Sequence, residues 1–136
     1  MGKVARFGVS LRQETLEALD EYSRRKGFQS RSQALTHMIG DAVVSQTAAD
    51  DTADVAGALV LIFDHHRPEF MRDFTALQHD FQSVILASQH IHVSHHLCLE
   101  TITMRGRPSV LNELADRILS LKGVKQGKLV FTSLEG

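Results

Sequence analysis

At 136 residues, 43% hydrophobic and with a formal net charge of −1, the chain fits one domain, or a small module joined to a domain of about 80 residues. A single cysteine excludes an internal disulfide and fits a reducing compartment; no apolar run reaches about 18 residues and no charged-then-apolar leader opens the chain, so the expectation is a cytoplasmic protein with no membrane association. Charge is uneven, with 7 Lys and Arg against 5 Asp and Glu in residues 1–47 and 8 against 11 in residues 48–136, and all seven N-terminal cations precede Ser32.

Residues Val4 to Leu11 alternate, with Phe7, Val9 and Leu11 on one side and Arg6, Gly8 and Ser10 on the other, which predicts a short strand with one polar face. From Leu11 to Lys26 the period changes: Leu16, Leu19 and Tyr22 or Ser23 form a helical stripe, and Gly27 supplies the left-handed residue that ends it. Ser30-Arg31-Ser32-Gln33 is a capping-box pattern opening a second helix with Ala34, Leu35, Met38, Ile39, Ala42 and Val43 inward. Residues 1–47 therefore read strand, helix, helix. A lone strand cannot satisfy its ladder bonds, and a unit this small cannot hold a core alone, so it must dimerise. Two such strands paired across a two-fold axis make a ribbon of the kind that enters the DNA major groove.

Residues 48–54, within a polar stretch from Ser45 to Asp54 that carries three carboxylates, have a linker composition and separate the first unit from residues 55–136. Beyond them Val55 to Phe63 is an apolar run of strand length, and Arg67 to Phe81 has helical spacing through Phe70, Phe74, Leu77 and Phe81. Ser83–Val93 and Leu97–Arg105 form a hairpin, Pro108 starts a helix carrying Val110, Leu111, Leu114, Ile118 and Leu121, and Val124–Thr132 is a last strand. The order β-α-β-β-α-β is the ferredoxin-like arrangement, which makes the whole chain α+β.

Seven of the eight histidines lie between His65 and His96, and the only cysteine, Cys98, follows at once. His90 and His92 project from one face of a strand, and a turn over Ser94–His96 returns Cys98 across the hairpin toward them. Two imidazoles and a thiolate are three donors of a metal site, and the fourth must come from elsewhere. A cysteine enzyme with Cys98 as nucleophile and His92 as base would need an oxyanion-hole motif, which is not evident, so no enzyme is expected.

Together, Arg6-Phe7-Gly8-Val9-Ser10-Leu11, the Gly27–Ala34 segment, Gln78-His79, His90-Ile91-His92 and Cys98-Leu99-Glu100 resemble the NikR family of nickel-responsive transcriptional regulators over nearly the whole chain. The resemblance implies a ribbon-helix-helix DNA-binding module followed by a ferredoxin-like, ACT-like domain that assembles a homotetramer. It implies one Ni2+ per subunit in a square-planar site made by His90, His92 and Cys98 of one subunit and His79 of a neighbour. Glu100 corresponds to the carboxylate that fixes imidazole orientation. Base readers on the ribbon correspond to Arg6, Gly8 and Ser10, acting on an operator with two half-sites, and the expected role is repression of nickel uptake.

This sequence departs from the family in places. Gly8 stands where a small hydroxyl residue is usual, so readout rests on Arg6 and Ser10. Gln33 and His37 replace a carboxylate pair that in some relatives helps hold a second cation, so a hard alkali ion would bind more weakly there, and His37 could instead bind a transition metal or merely donate to a backbone carbonyl. His65 and His66 follow Asp64 where relatives can hold secondary metal ions, the alternative being exposed polar residues that cap the next helix, whereas His95 and His96 read as solvated turn residues. Three nitrogens and one sulfur also suit copper, zinc or cobalt, so the same architecture answering to another metal, or to a small molecule, is the alternative.

Overall fold

The computed structural model describes residues 2–134. Two compact units divide the chain, residues 1–42 and residues 43–136. In the first, α1 (Gln13–Lys26) ends at Gly27, whose φ of 75° is the left-handed conformation a C-cap glycine supplies at no steric cost. Helix α2 (Arg31–Asp50) opens on Ser30, whose hydroxyl accepts from the Gln33 amide at 3.1 Å. The Gln33 side chain reaches back to the Gln29 amide at 2.7 Å, one residue short of the reciprocal partner in a regular capping box. The Arg31 guanidinium grips the Asp20 carboxylate with two bonds, 2.8 and 2.9 Å, and ties the two helices together.

Residues 4–11, expected as a strand, carry no regular secondary structure in the single chain. The physical reason is that a strand exists by its ladder, and no other segment of residues 1–42 is extended enough to supply one. Phe7 and Val9 remain 77% and 60% exposed, and Met38 and Ile39 on α2 are exposed as well, so this unit buries little beyond Leu19, Ser23 and Ala34. Helix α2 runs to Asp50 and takes in residues 48–50, which composition assigns to a linker. Asp51 then turns the chain with a φ of 53°.

Asp51 also explains how residues 51–54 settle. Its carboxylate accepts from the amide and the hydroxyl of Ser109 at 2.9 and 2.7 Å and so caps a helix N-terminus from 58 residues away. These bonds hold its carboxyl below the usual carboxylate range, so the cap's contribution is present above that range and is lost as pH falls through the depressed value.

The second unit is β1 (Val55–Asp64), α3 (Pro68–Asp80), β2 (Ile85–His92), β3 (Leu97–Gly106), α4 (Pro108–Leu119) and β4 (Val124–Ser133), the order expected from the sequence. The sheet order is β2-β3-β1-β4 and every neighbouring pair is antiparallel, which leaves β2 and β4 as edges. Period-two alternation sends Val55, Leu59, Leu61 and Phe63 of β1 inward. They meet Phe70, Phe74 and Leu77 of α3 and Leu111, Leu114 and Ile118 of α4, while β3 adds Ile102 and Met104. The same alternation on β3 turns Cys98 and Glu100 inward, so the functional face and the core face are one surface.

Gly127 on β4 is required by packing. A Cβ there would collide with the Leu119 side chain and lie 3.0 Å from the Val60 carbonyl oxygen. Gly127→Ala should therefore lower unfolding free energy by about 1–3 kcal/mol, read as a lower thermal midpoint, through displacement of Leu119. An unchanged midpoint would show that Leu119 repacks freely.

Candidate metal centre

Register builds the site. In the β2–β3 hairpin His92 pairs with Cys98 and His90 with Glu100, so four chemically active side chains line one face at the open edge of the sheet. The turn between them is closed by the Val93 and Ser94 amides donating to the Leu97 carbonyl and by the Ser94 hydroxyl accepting from the Leu97 amide at 3.2 Å. On the other side of Cys98 stands Phe63, the last inward residue of β1. Two residues later the chain leaves that strand and delivers His65.

The thiol of Cys98 is fully buried and lies 3.4 Å from Nδ1 of His92 and 3.4 Å from Nδ1 of His65. Donor atoms of His65, His92 and Cys98 all fall within 4.8 Å of one another. Burial, with the Glu100 and Asp64 charges as lesser causes, pushes the thiol above its ordinary range, so a metal arriving here displaces a proton. Burial also pushes His65 down, assisted by His66 and His92, which leaves it neutral with a lone pair to donate.

His90 is held differently. Its Nδ1 lies 2.8 Å from the Glu100 carboxylate, which is buried, and its ring stands nearly perpendicular to that of His92 with centroids 5.1 Å apart. A carboxylate on Nδ1 fixes the tautomer and leaves Nε2 as the donor, which is the usual way a metal-binding imidazole is oriented. Imidazoles with a thiol fit a borderline divalent ion such as nickel and do not suit magnesium or calcium.

The remaining expected residues fall elsewhere. His79 is exposed in the last turn of α3 and joins neither histidine group of the chain. Among the second-cation residues, Gln33 is engaged in capping, and His37 lies 3.5 Å from the Asp41 carboxylate with its ring against Phe28. Arg6, Gly8 and Ser10 are exposed, and a Cβ on Gly8 would meet nothing. What sequence reasoning underweighted is His65 beside Cys98, and the turn histidines: His66, His95 and His96 form a second group with donors within 4.8 Å.

Residues 56–132 match the family described as the NikR C terminal nickel binding domain. This chain belongs to the NikR family. A relative in Nitratidesulfovibrio vulgaris Hildenborough, named "Putative nickel-responsive regulator", is 38% identical over 133 residues, spanning 98% of this chain and 96% of the relative. Relatives of the same name in Thermococcus kodakarensis and Pyrococcus furiosus are 38% and 39% identical over 130 residues, each spanning 96% of this chain and 94% of the relative. Two solved structures share the fold of the second unit. An uncharacterized protein from Thermotoga maritima superposes with a TM-score of 0.53 at 18% identity over 57% of this chain and 96% of that one. The ACT domain of a GTP pyrophosphokinase from Chlorobium tepidum superposes at 0.50 and 11% identity, over 57% and 100%. The C-terminal domain is thus an ACT-like α+β domain that binds Ni2+, in a nickel-responsive regulator of transcription. No helix among the described residues is long and apolar enough to cross a membrane.

Proposed function

We propose that this protein is a nickel-dependent, sequence-specific DNA-binding repressor, a homotetramer whose N-terminal ribbons engage two operator half-sites when Ni2+ occupies the C-terminal domain. The observation that carries the reading is the hairpin register, with His92 opposite Cys98 and a carboxylate-oriented His90 beside them on an edge strand. Here His90, His92 and Cys98 supply three donors, and the exposed His79 of a neighbouring subunit supplies the fourth. The apolar side chains left open on residues 4–11 and on α2 are what a second copy would cover in forming a ribbon. Arg24, Arg25 and Arg31 are engaged by Glu21 and Asp20, whereas Arg6, Gly8 and Ser10 stay exposed and are the residues that face bases in this reading.

The ligand assignment is tested by two substitutions read in parallel. Nickel-loaded protein should be diamagnetic with a thiolate-to-metal charge-transfer band in the near ultraviolet. His90→Ala should abolish that spectrum, whereas His65→Ala should leave it at stoichiometric loading. The opposite result would favour a second reading, which the 3.4 Å contacts of Cys98 with both His65 and His92 support: a centre complete in one chain and open to tetrahedral ions such as zinc.

Arg6→Ala tests the DNA half. If Arg6 grips a guanine bidentately, the substitution costs about 1–3 kcal/mol at the operator and relaxes preference at that position. Uniform weakening on all sequences, with the salt slope reduced by about one, would make Arg6 a phosphate contact.

A further inference from the structure

Helix α4 opens without a cap of its own, because its N-cap residue, Arg107, makes no side-chain cap bond and Pro108 has no amide to donate. The Val110 and Leu111 amides donate to the Arg107 carbonyl, which leaves the Ser109 amide for Asp51 to take up. We infer that residues 51–54 are a closed latch between the end of α2 and the start of α4, and that this latch, rather than a slack linker, carries changes in the metal-binding domain to α2. The transmitting role rests on the nickel-dependent operator binding proposed above; the latch itself does not.

Three sets of contacts close it. The two oxygens of the Asp51 carboxylate accept from the Ser109 amide at 2.9 Å and from the Ser109 hydroxyl at 2.7 Å. The Arg107 guanidinium donates to the Asp51 carbonyl at 3.0 Å, so backbone and side chain of one residue are both held. Asp54 lies 3.6 Å from Arg107 and 3.9 Å from Arg105. Those ion pairs are long and about half exposed, so they contribute little and the bonds made by Asp51 carry the latch.

The backbone agrees. The Asp51 amide donates to the Thr47 carbonyl at 3.1 Å, so the turn grows directly out of the last turn of α2. Its φ of 53° is left-handed, and among the described residues no other side-chain-bearing residue has a positive φ. Such a conformation persists where surrounding contacts over-determine it, as the Ser109 and Arg107 bonds do here. Helix α2 begins in the first unit, and its residues 43–50 belong to the second. With their end latched to α4, a shift of α4 reaches them through a rigid element instead of being lost in a flexible chain.

Asp51→Gly separates the latch from the turn, because glycine adopts a φ of 53° freely and has no carboxylate. In the full-length, nickel-loaded protein without DNA, hydrogen exchange over residues 43–51 and at Ser109 should be at least about tenfold faster in this variant. Exchange within β1 and the charge-transfer band should not change. Ser109→Ala, which keeps the amide and removes the hydroxyl, should fall between the two. Operator binding across a nickel titration should then show the metal-dependent gain in Asp51→Gly cut at least about twofold, with the metal-free affinity kept. Exchange at wild-type rates over both segments overturns the latch, and faster exchange with an undiminished gain overturns its transmitting role. A wild type with no metal-dependent gain contradicts the nickel-dependent operator binding instead, and the exchange rates alone then decide the latch.

Discussion

Cys98→Ala should erase the thiolate-to-metal band and weaken nickel by more than the roughly 10- to 100-fold that loss of an outer partner costs. The thiol is the only one in the chain, sits opposite His92, and is buried against β1, so no other thiolate can take its place. Because burial holds the thiol above its ordinary range, nickel uptake by the wild type expels a proton, and its affinity should rise with pH toward that raised value. The variant should lose that proton release. Its fold should survive, since a buried cysteine packs as a small hydrophobe and alanine removes one atom from a core carried by Phe63, Phe70 and Phe74. A band of wild-type amplitude in the variant would show that the sulfur is not a ligand.

Much of this was legible in the sequence because periodicity and punctuation agreed. Gly27 and Pro108 mark helix boundaries within about two residues, and the spacing of His90, His92 and Cys98 anticipates the hairpin register that pairs His92 with Cys98. Two features were hidden for physical reasons. Ser45–Asp50 is polar enough to read as linker, but alanine, glutamine and aspartate tolerate a helix once Asp51 turns the chain and anchors to Ser109, 58 residues away. His65 lies 33 residues from Cys98, and only the β1–β3 pairing of Phe63 with Cys98 brings it there. Residues 4–11 are the reverse case, since their alternation predicts a strand and in the single chain they carry no regular secondary structure.

The second large effect joins the two halves. In the proposed assembly, a cation bound both by His79 of one subunit and by the His90–Cys98 hairpin of another would favour the packings in which the two meet over the rest. If the same packings set the spacing of the ribbons, nickel and operator are coupled, and each tightens the other by the same factor. Operator affinity should then be at least about tenfold higher with one nickel per subunit than without, ~1.4 kcal/mol or more. His79→Ala should lose most of that gain while keeping the salt-sensitive background affinity for DNA and the tetramer. The decisive measurement is operator binding at fixed salt across a nickel titration from none to one equivalent per chain. A rise of about tenfold or more that saturates with the charge-transfer band is the expected result; equal affinity of the metal-free and nickel-loaded protein would contradict it.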